Sequence, residues 1–348
     1  GLISLIFRRS DRELRLLTES NMKRRKIRWP WLYAGPILWF YGKIKRVQAR
    51  IQLSYFNRVL RQINPDCVFI WNGYLMPFSL LRIAAEQQKL RCTYFENGYF
   101  PQTLQVDNVG INGWNSLPRH PEFFRNLDLD WDRLKLPDKL NNRPCKIKGR
   151  AANVDLTREY YFVPMQVPSD MQVLDLSPWI KSMESFYAVL LWLVKQDSGL
   201  RFIVKEHPSF KRKIAGSVEG HSRIVFANND NTEVLIEGSK GVVTLNSTVG
   251  IEAIFKKKPV FQLGLSCYGI AGLVNMAGSR EELLERIKFP SYPDPVLVDR
   301  YIRYVYSIYL VAGNLNSVEG PMVASRFLGK DSHSLCVREW QNRGADGV

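Results

Sequence analysis

Two segments, YYFVPMQVPSD (residues 160–170) and LRFIVKEHPS (residues 200–209), bracket the stretch that decides the fold. Each is a short apolar run closed by polar residues, the first by Asp170 and the second by Lys205, Glu206 and His207. Between them, Trp179 to Val194 carries the pattern of a long apolar helix. Strand, helix and strand within about fifty residues form a βαβ unit, whose right-handed crossover lays the strands parallel and side by side or nearly so. In open α/β sheets, ligands bind just beyond the carboxyl ends of the strands. Asp170 and His207 are therefore predicted at one crevice, although far apart in the chain.

Working downstream, RIVFAN (223–228), a helix over 233–237, GVVTLN (241–246), a helix over 248–257 and PVFQLG (259–264) repeat the alternation. This predicts a doubly wound parallel sheet. SREELLERI (279–287) and the aromatic segment 298–312 read as the last helices, the latter free to pack back onto the first domain, and the polar chain beyond Gly329 reads as frayed. Working upstream, residues 51–62 read as helix, CVFIWNG (67–73) as a buried parallel strand, SLLRIAAEQQ (79–88) as helix and RCTYFENG (91–98) as the next strand. Asn72-Gly73 and Asn97-Gly98 close the two strands; both residue types tolerate positive φ, which predicts tight turns at the strand tips. Residues 99–150 show little periodicity and read as a long ordered loop followed by a polar linker. The predicted division is an α/β domain over 1–150, a nucleotide-binding Rossmann-like domain over 151–328 and a flexible tail over 329–348.

The 348 residues, 45% of them hydrophobic, suffice for two cores. Lys and Arg total 49 against 33 acids, a net charge of +16, which suits anionic partners or a basic solvated surface. The five cysteines are scattered without a CxxC pair, and the four histidines lack ligand spacing, so reduced thiols in a cytoplasmic protein and no metal are expected. No apolar run reaches the length of a spanning helix, and the first residues do not read as a signal peptide. The strongest anomaly is KRRKIR (23–28), then WPWLYAGPILWFY (29–41), then KIKRVQAR (43–50). Trp and Tyr flanked by Lys and Arg suit a membrane interface, although a buried loop or helix with a basic edge is the plainer alternative. No nucleic-acid-reading signature is present, which argues against that partner.

Chemistry concentrates at four places. In TLNSTVGIE (244–252) a strand runs through Asn246, Ser247 and Thr248 into a helix, whose free N–H groups and dipole suit a phosphate, or simply an N-cap. Gly250 would permit close approach, and Glu252 would accept from ribose hydroxyls. Asp170 fits a catalytic carboxylate or a cap. His207 suits proton transfer at a phosphate, and Lys205 suits charge neutralisation. Glu96, from the other domain, completes a pair of carboxylates across a cleft, as chemistry at an anomeric carbon uses.

The blocks ENGYFPQTLQVDNVGINGWNSLPR, VPMQVPSD, VKEHPS and LNSTVGIEAIFKKKPV, in this order over residues 67–263, resemble the bacterial capsule polysaccharide biosynthesis proteins. In particular the chain is similar to the retaining β-Kdo glycosyltransferases, which transfer the acidic keto-sugar Kdo from CMP-β-Kdo. The resemblance implies a GT-B-like fold, two Rossmann-type domains facing a cleft. It implies that Asp170, within the Gln166 to Asp170 block, is the nucleophile that forms a Kdo-enzyme adduct. It further implies Glu96 as the acceptor-side acid/base with Asn72 and Asn97 nearby, His207 at the donor phosphate, and Ser247 and Thr248 at the phosphate-binding helix start. The implied partners are CMP-Kdo, an anionic glycan or glycolipid acceptor and the inner membrane, with no metal. Rival readings are a UDP-sugar transferase or epimerase of the same fold, and a non-catalytic basic glycolipid-binding protein.

Overall fold

The computed structural model describes residues 2–141, 154–318 and 320–345. They gather into two compact units. The first holds Gly1–Gly98, Thr103–Ser116 and Val311–Asp331; the second holds Tyr99–Gln102, Leu117–Leu310 and Ser332–Val348.

The first unit opens with two long helices, Leu2–Arg28 and Gly35–Ile63. The break between them follows from Pro30 and Pro36, the second of which begins the new helix, where its missing N–H costs nothing. Strands β1 (Cys67–Trp71), β2 (Arg91–Asn97) and β3 (Thr103–Asp107) follow, with the helix Phe78–Gln87 as the crossover from β1 to β2. β1 and β2 run parallel, β3 is antiparallel to β2, and the short strand Val311–Ala312 closes the sheet beside β3. Three of these features depart from expectation. β1 is an edge strand and buries one face only: Val68 and Ile70 are buried while Phe69, on the other face, is exposed although the run is wholly apolar. β3 lies in the stretch expected to be loop, and Val311–Ala312 is strand rather than the end of a helix. At the strand tips Asn72 and Gly73 both take positive φ as expected, but Asn97 and Gly98 do not. Gly98 is small for another reason: a Cβ there would meet the Thr103 hydroxyl at 2.0 Å.

The second unit is built on six parallel strands, β4 (Tyr161–Pro164), β5 (Phe202–Lys205), β6 (Ile224–Phe226), β7 (Gly241–Thr244), β8 (Val260–Gln262) and β9 (Asn275–Met276). Their order across the sheet is β6-β5-β4-β7-β8-β9. The chain thus starts in the middle, winds outward one way and returns to wind the other, the doubly wound Rossmann pattern. β4 to β5 is the expected βαβ unit; its helix, Met183–Gln196, starts later than read because Ser182 and Ser185 form a reciprocal capping box. Apolar side chains from both faces make two clusters, one around Phe186, Leu190 and Phe202, the other around Phe123, Phe124, Tyr301 and Tyr304.

That second cluster explains why the units do not divide at residue 150, a position outside the described residues. Leu117, Phe123 and Phe124 are buried among the aromatic residues of the second unit, so the chain has joined it by Leu117. The tail expected to fray instead forms the helix Ser332–Ala345, held by buried His333 and Cys336 and by Trp340 against Phe123. The Tyr304 hydroxyl and His333 Nδ1 are 2.8 Å apart.

Candidate functional site

The switch point of the second sheet lies between β4 and β7, where the winding direction reverses. The residues that follow these strands are tied together by amide side chains. Gln166 Nε2 donates to Asn246 Oδ1 at 2.8 Å, and Asn246 Nδ2 donates to the carbonyl of Gln172 at 2.8 Å. Asn246, only 4% exposed, therefore fastens the end of β7 to both sides of the turn that carries Asp170. Asp170 caps the single helical turn Met171–Leu174, its Oδ1 accepting from Gln172 N at 3.0 Å. Its second oxygen makes no hydrogen bond among the described residues, and the side chain is half-buried. One carboxylate oxygen thus fixes orientation while the other stays available.

The neighbouring strand β5 delivers the second group. Met165 N donates to Lys205 O at 2.8 Å, so the ladder continues one step past β4 and the two tips end level. Lys205 directs its ammonium to the Asp230 carbonyl. His207 is half-buried; Nδ1 accepts from Ser209 N at 3.2 Å, which aims Nε2 away from its own turn. Between them, Glu206 turns inward and is 6% exposed. Its Oε1 accepts from Ile214 N at 2.5 Å and its Oε2 from Asn228 Nδ2 at 2.7 Å. Glu206 thereby fixes the 207–214 loop that presents His207. Sequence reading gave it no role; the signal was an acid between Lys and His just where a strand of the core ends.

The third group departs from expectation in two of its members. Ser247 is half-buried and its hydroxyl accepts from Val249 N at 3.3 Å, while Thr248 is exposed. Gly250 does not open room for a ligand. A Cβ there would meet the Tyr268 hydroxyl at 2.5 Å, and that hydroxyl donates to Ser247 O at 2.7 Å. Burial pushes the Tyr268 phenol well above its ordinary pKa, so it remains a donor. Glu252 is buried and accepts from Asn141 Nδ2 at 2.9 Å, which turns it into the interior instead of toward a ribose.

In the first unit, Glu96 is the last residue but one of β2 and is half-buried; Oε2 accepts from Asn72 Nδ2 at 2.8 Å and Oε1 from Asn97 N at 3.0 Å. Asn72 can reach it because its φ of 62° turns the chain back after β1, where its N–H donates to Phe95 O. Asn97 itself is exposed. The structure thus joins Glu96, Asn72 and Asn97 in one cluster, and Gln166, Asp170 and Asn246 in another. Among the described residues, no three His, Cys, Asp or Glu side chains come together as a metal site, and no helix is long and apolar enough to cross a membrane. Cys67, Cys92, Cys267 and Cys336 are not in disulfides, and Cys145 lies outside the described residues.

Comparison with known proteins bears on what such tips do. The family model described as capsule polysaccharide biosynthesis protein matches residues 67–142 and 145–315. Protein FixF of Sinorhizobium fredii is 40% identical over 330 residues, which span 93% of this chain and 80% of FixF. The capsule polysaccharide modification protein LipB of Neisseria meningitidis is 23% identical over 314 residues, spanning 70% of this chain and 74% of LipB. Among solved structures, the β-Kdo 2,4 transferase of Thermosulfurimonas dismutans KpsC superposes with a TM-score of 0.51 at 20% identity, covering 75% of this chain and 87% of that one. This likeness shows the fold, an α/β architecture of the GT-B type.

Proposed function

The chain belongs to the capsule polysaccharide biosynthesis protein family, and from that premise we propose that it is a retaining glycosyltransferase moving Kdo from CMP-β-Kdo to a glycan or glycolipid acceptor. The observation that carries this reading is the Asp170 carboxylate, oriented through one oxygen at the switch point of a doubly wound sheet and with its other oxygen unengaged by the described residues. The KpsC module that shares the fold is a β-Kdo transferase.

Donor and product would both be β-linked, so the anomeric carbon is inverted twice. In the first step Asp170 attacks that carbon; its oxygen forms the new bond as the bond to the phosphate oxygen breaks, and CMP leaves with the electron pair. In the second, the acceptor hydroxyl attacks the same carbon, the bond to Asp170 breaks and the hydroxyl proton passes to Glu96. His207 and Lys205 meet the single phosphate of CMP together with Ser247 and Thr248, and the reaction as written calls for no metal. Gln166 and Asn246 hold the Asp170 turn in place. The acceptor would be met on the cytoplasmic face of the inner membrane.

Intact-protein mass after mixing with CMP-Kdo tests this. The wild type should gain one Kdo residue, and Asp170→Asn should gain none while losing transfer by about a thousandfold or more. Glu96→Gln should slow transfer by about a hundredfold or more while still accumulating the adduct, because only the second step uses it. An adduct on Asp170→Asn would overturn the assignment. Thermal stabilisation by UDP but not CMP would favour a UDP-sugar enzyme instead.

A further inference from the structure

The two N-terminal helices precede every residue matched by the family model. Their contacts pair Asn21 with Tyr41 and Asp11 with Arg50, the pattern of an antiparallel hairpin. The helices approach closely at Gly42, where a Cβ would meet the sulfur of Met22 at 2.6 Å. Gly42, Ala49, Leu53 and Leu60 make up the buried face of the second helix. The opposite face is apolar as well. Ile37, Phe40, Ile44, Val47, Ile51 and Tyr55 recur at steps of three and four, so they form one stripe, and every one is more than half exposed. Trp31 and Trp39 stand beside it at the hairpin tip, 73% and 54% exposed, with Lys43 over the Trp39 ring at 5.0 Å. A continuous exposed stripe of this size marks an interaction surface.

Charge selects the occupant. Between Glu19 and Asp66 the chain carries eleven Lys and Arg and no Asp or Glu. The acids of the hairpin, Asp11, Glu13 and Glu19, all belong to the first helix, and Asp11 is already paired with Arg50; the second helix, which bears the stripe, has none. A second copy packed stripe to stripe would set the six Lys and Arg of one second helix against the six of the other, with no carboxylate on either of these helices to relieve them. An anionic lipid surface is instead complementary in both respects, apolar below its headgroups and negative at them, with Trp and Tyr suited to the boundary. We infer that the hairpin of residues 11–63 docks the protein on an anionic phospholipid bilayer, lying in the interface with the Ile37 to Tyr55 stripe inserted and the basic residues at the headgroups. The helices lie in the surface and do not cross it.

The test sediments the full chain with phosphatidylcholine vesicles, with and without phosphatidylglycerol. Binding should require phosphatidylglycerol, weaken with added salt and shift tryptophan emission to the blue. Ile44→Glu with Val47→Glu, both at exposed positions, should keep the native circular dichroism and lower vesicle affinity by about tenfold or more. Lys23→Gln with Arg25→Gln and Lys26→Gln should lower it by a similar factor. Wild-type vesicle binding by the Ile44→Glu/Val47→Glu protein, equal binding to neutral vesicles, or a dimer in sedimentation equilibrium that this variant splits would each overturn the inference. Adduct formation on Asp170 with soluble CMP-Kdo uses no vesicle, so failure of the docking surface and failure of the Kdo reading are separate outcomes.

Discussion

A Cβ at Gly250 would meet the Tyr268 hydroxyl at 2.5 Å and its ring carbons at 2.6 and 2.9 Å, and Tyr268 is itself buried with nowhere to retreat. Gly250→Ala is therefore an overpacking mutation that should cost about 1–3 kcal/mol in denaturant unfolding. Because Tyr268 also holds the Ser247 carbonyl, under the proposed function the alanine should weaken CMP binding as well. Tyr268→Phe keeps the ring and removes only the bond to Ser247; it should cost about 1 kcal/mol and leave Gly250 undisturbed. A Gly250→Ala protein as stable as wild type would contradict the packing argument. The pair also shows what residue types alone conceal. That a glycine stands after Ser247 and Thr248 is legible in the sequence, but whether its missing side chain makes space for a ligand or for a ring eighteen positions later is a tertiary fact. Glu252 is the same case, an acid one turn into the helix after Thr248 that folding turns onto Asn141. The place of Asp170 beyond the end of β4 is legible in the sequence, because the apolar run of the strand stops before it.

At the scale of elements, the loop after β5 depends on Glu206, which receives two hydrogen bonds from its far side and its flank. Glu206→Ala leaves Ile214 N and Asn228 without their acceptor, a loss of about 1–3 kcal/mol confined largely to this loop. The loop carries Lys211, Arg212 and Lys213, the first two exposed, so the expected readout is tryptic cleavage there, much faster in the variant and unchanged elsewhere. Cleavage rates identical to wild type would remove Glu206 from this role. The helix Ser332–Ala345 makes the complementary prediction. Truncation after Asp331 would strip cover from Phe123, Tyr304 and Tyr309, which pack against Trp340 and His333. At roughly 1.5–3 kcal/mol per large apolar side chain uncovered, it should lower stability by several kcal/mol instead of leaving it unchanged as a frayed tail would. Strands flanked by helices were easy to read because period two gives way to period 3.6. β3 and the tail helix were not. All five residues of β3, TLQVD, are buried, polar ones included, so no alternation marks it, and the tail hides its few buried positions among charges.

The whole molecule is two units whose membership no linear boundary describes, since the first takes back Val311–Asp331 and the second then takes Ser332–Val348. Sequence composition predicted a cut at a polar stretch, but cores are assembled by burial, and the aromatic residues at 123 and 124 outweigh the polar residues that follow them. The same principle yields a prediction that separates the units. In the first, Arg326 is 2% exposed; its Nε meets Asp331 and its Nη1 donates to Val106 O at 2.6 Å, joining the helix Gly320–Phe327 to β3. The apolar cluster around it is small, with Leu104, Val106 and Val311 at its centre, so this buried ion pair is a large share of what holds that sheet edge. Arg326→Met leaves the Asp331 carboxylate buried without its cation, which should cost about 3–5 kcal/mol. Replacing both, Arg326→Met with Asp331→Leu, removes the unpaired charge and should recover much of that loss. Hydrogen exchange gives the spatial readout. Amides of β2, β3 and Val311 should lose protection in the single variant, while those of β4, β5 and β7, in a sheet with its own two clusters, should stay protected. Uniform loss across both sheets would mean that the two units unfold as one cooperative body and that the ion pair stabilises the whole chain.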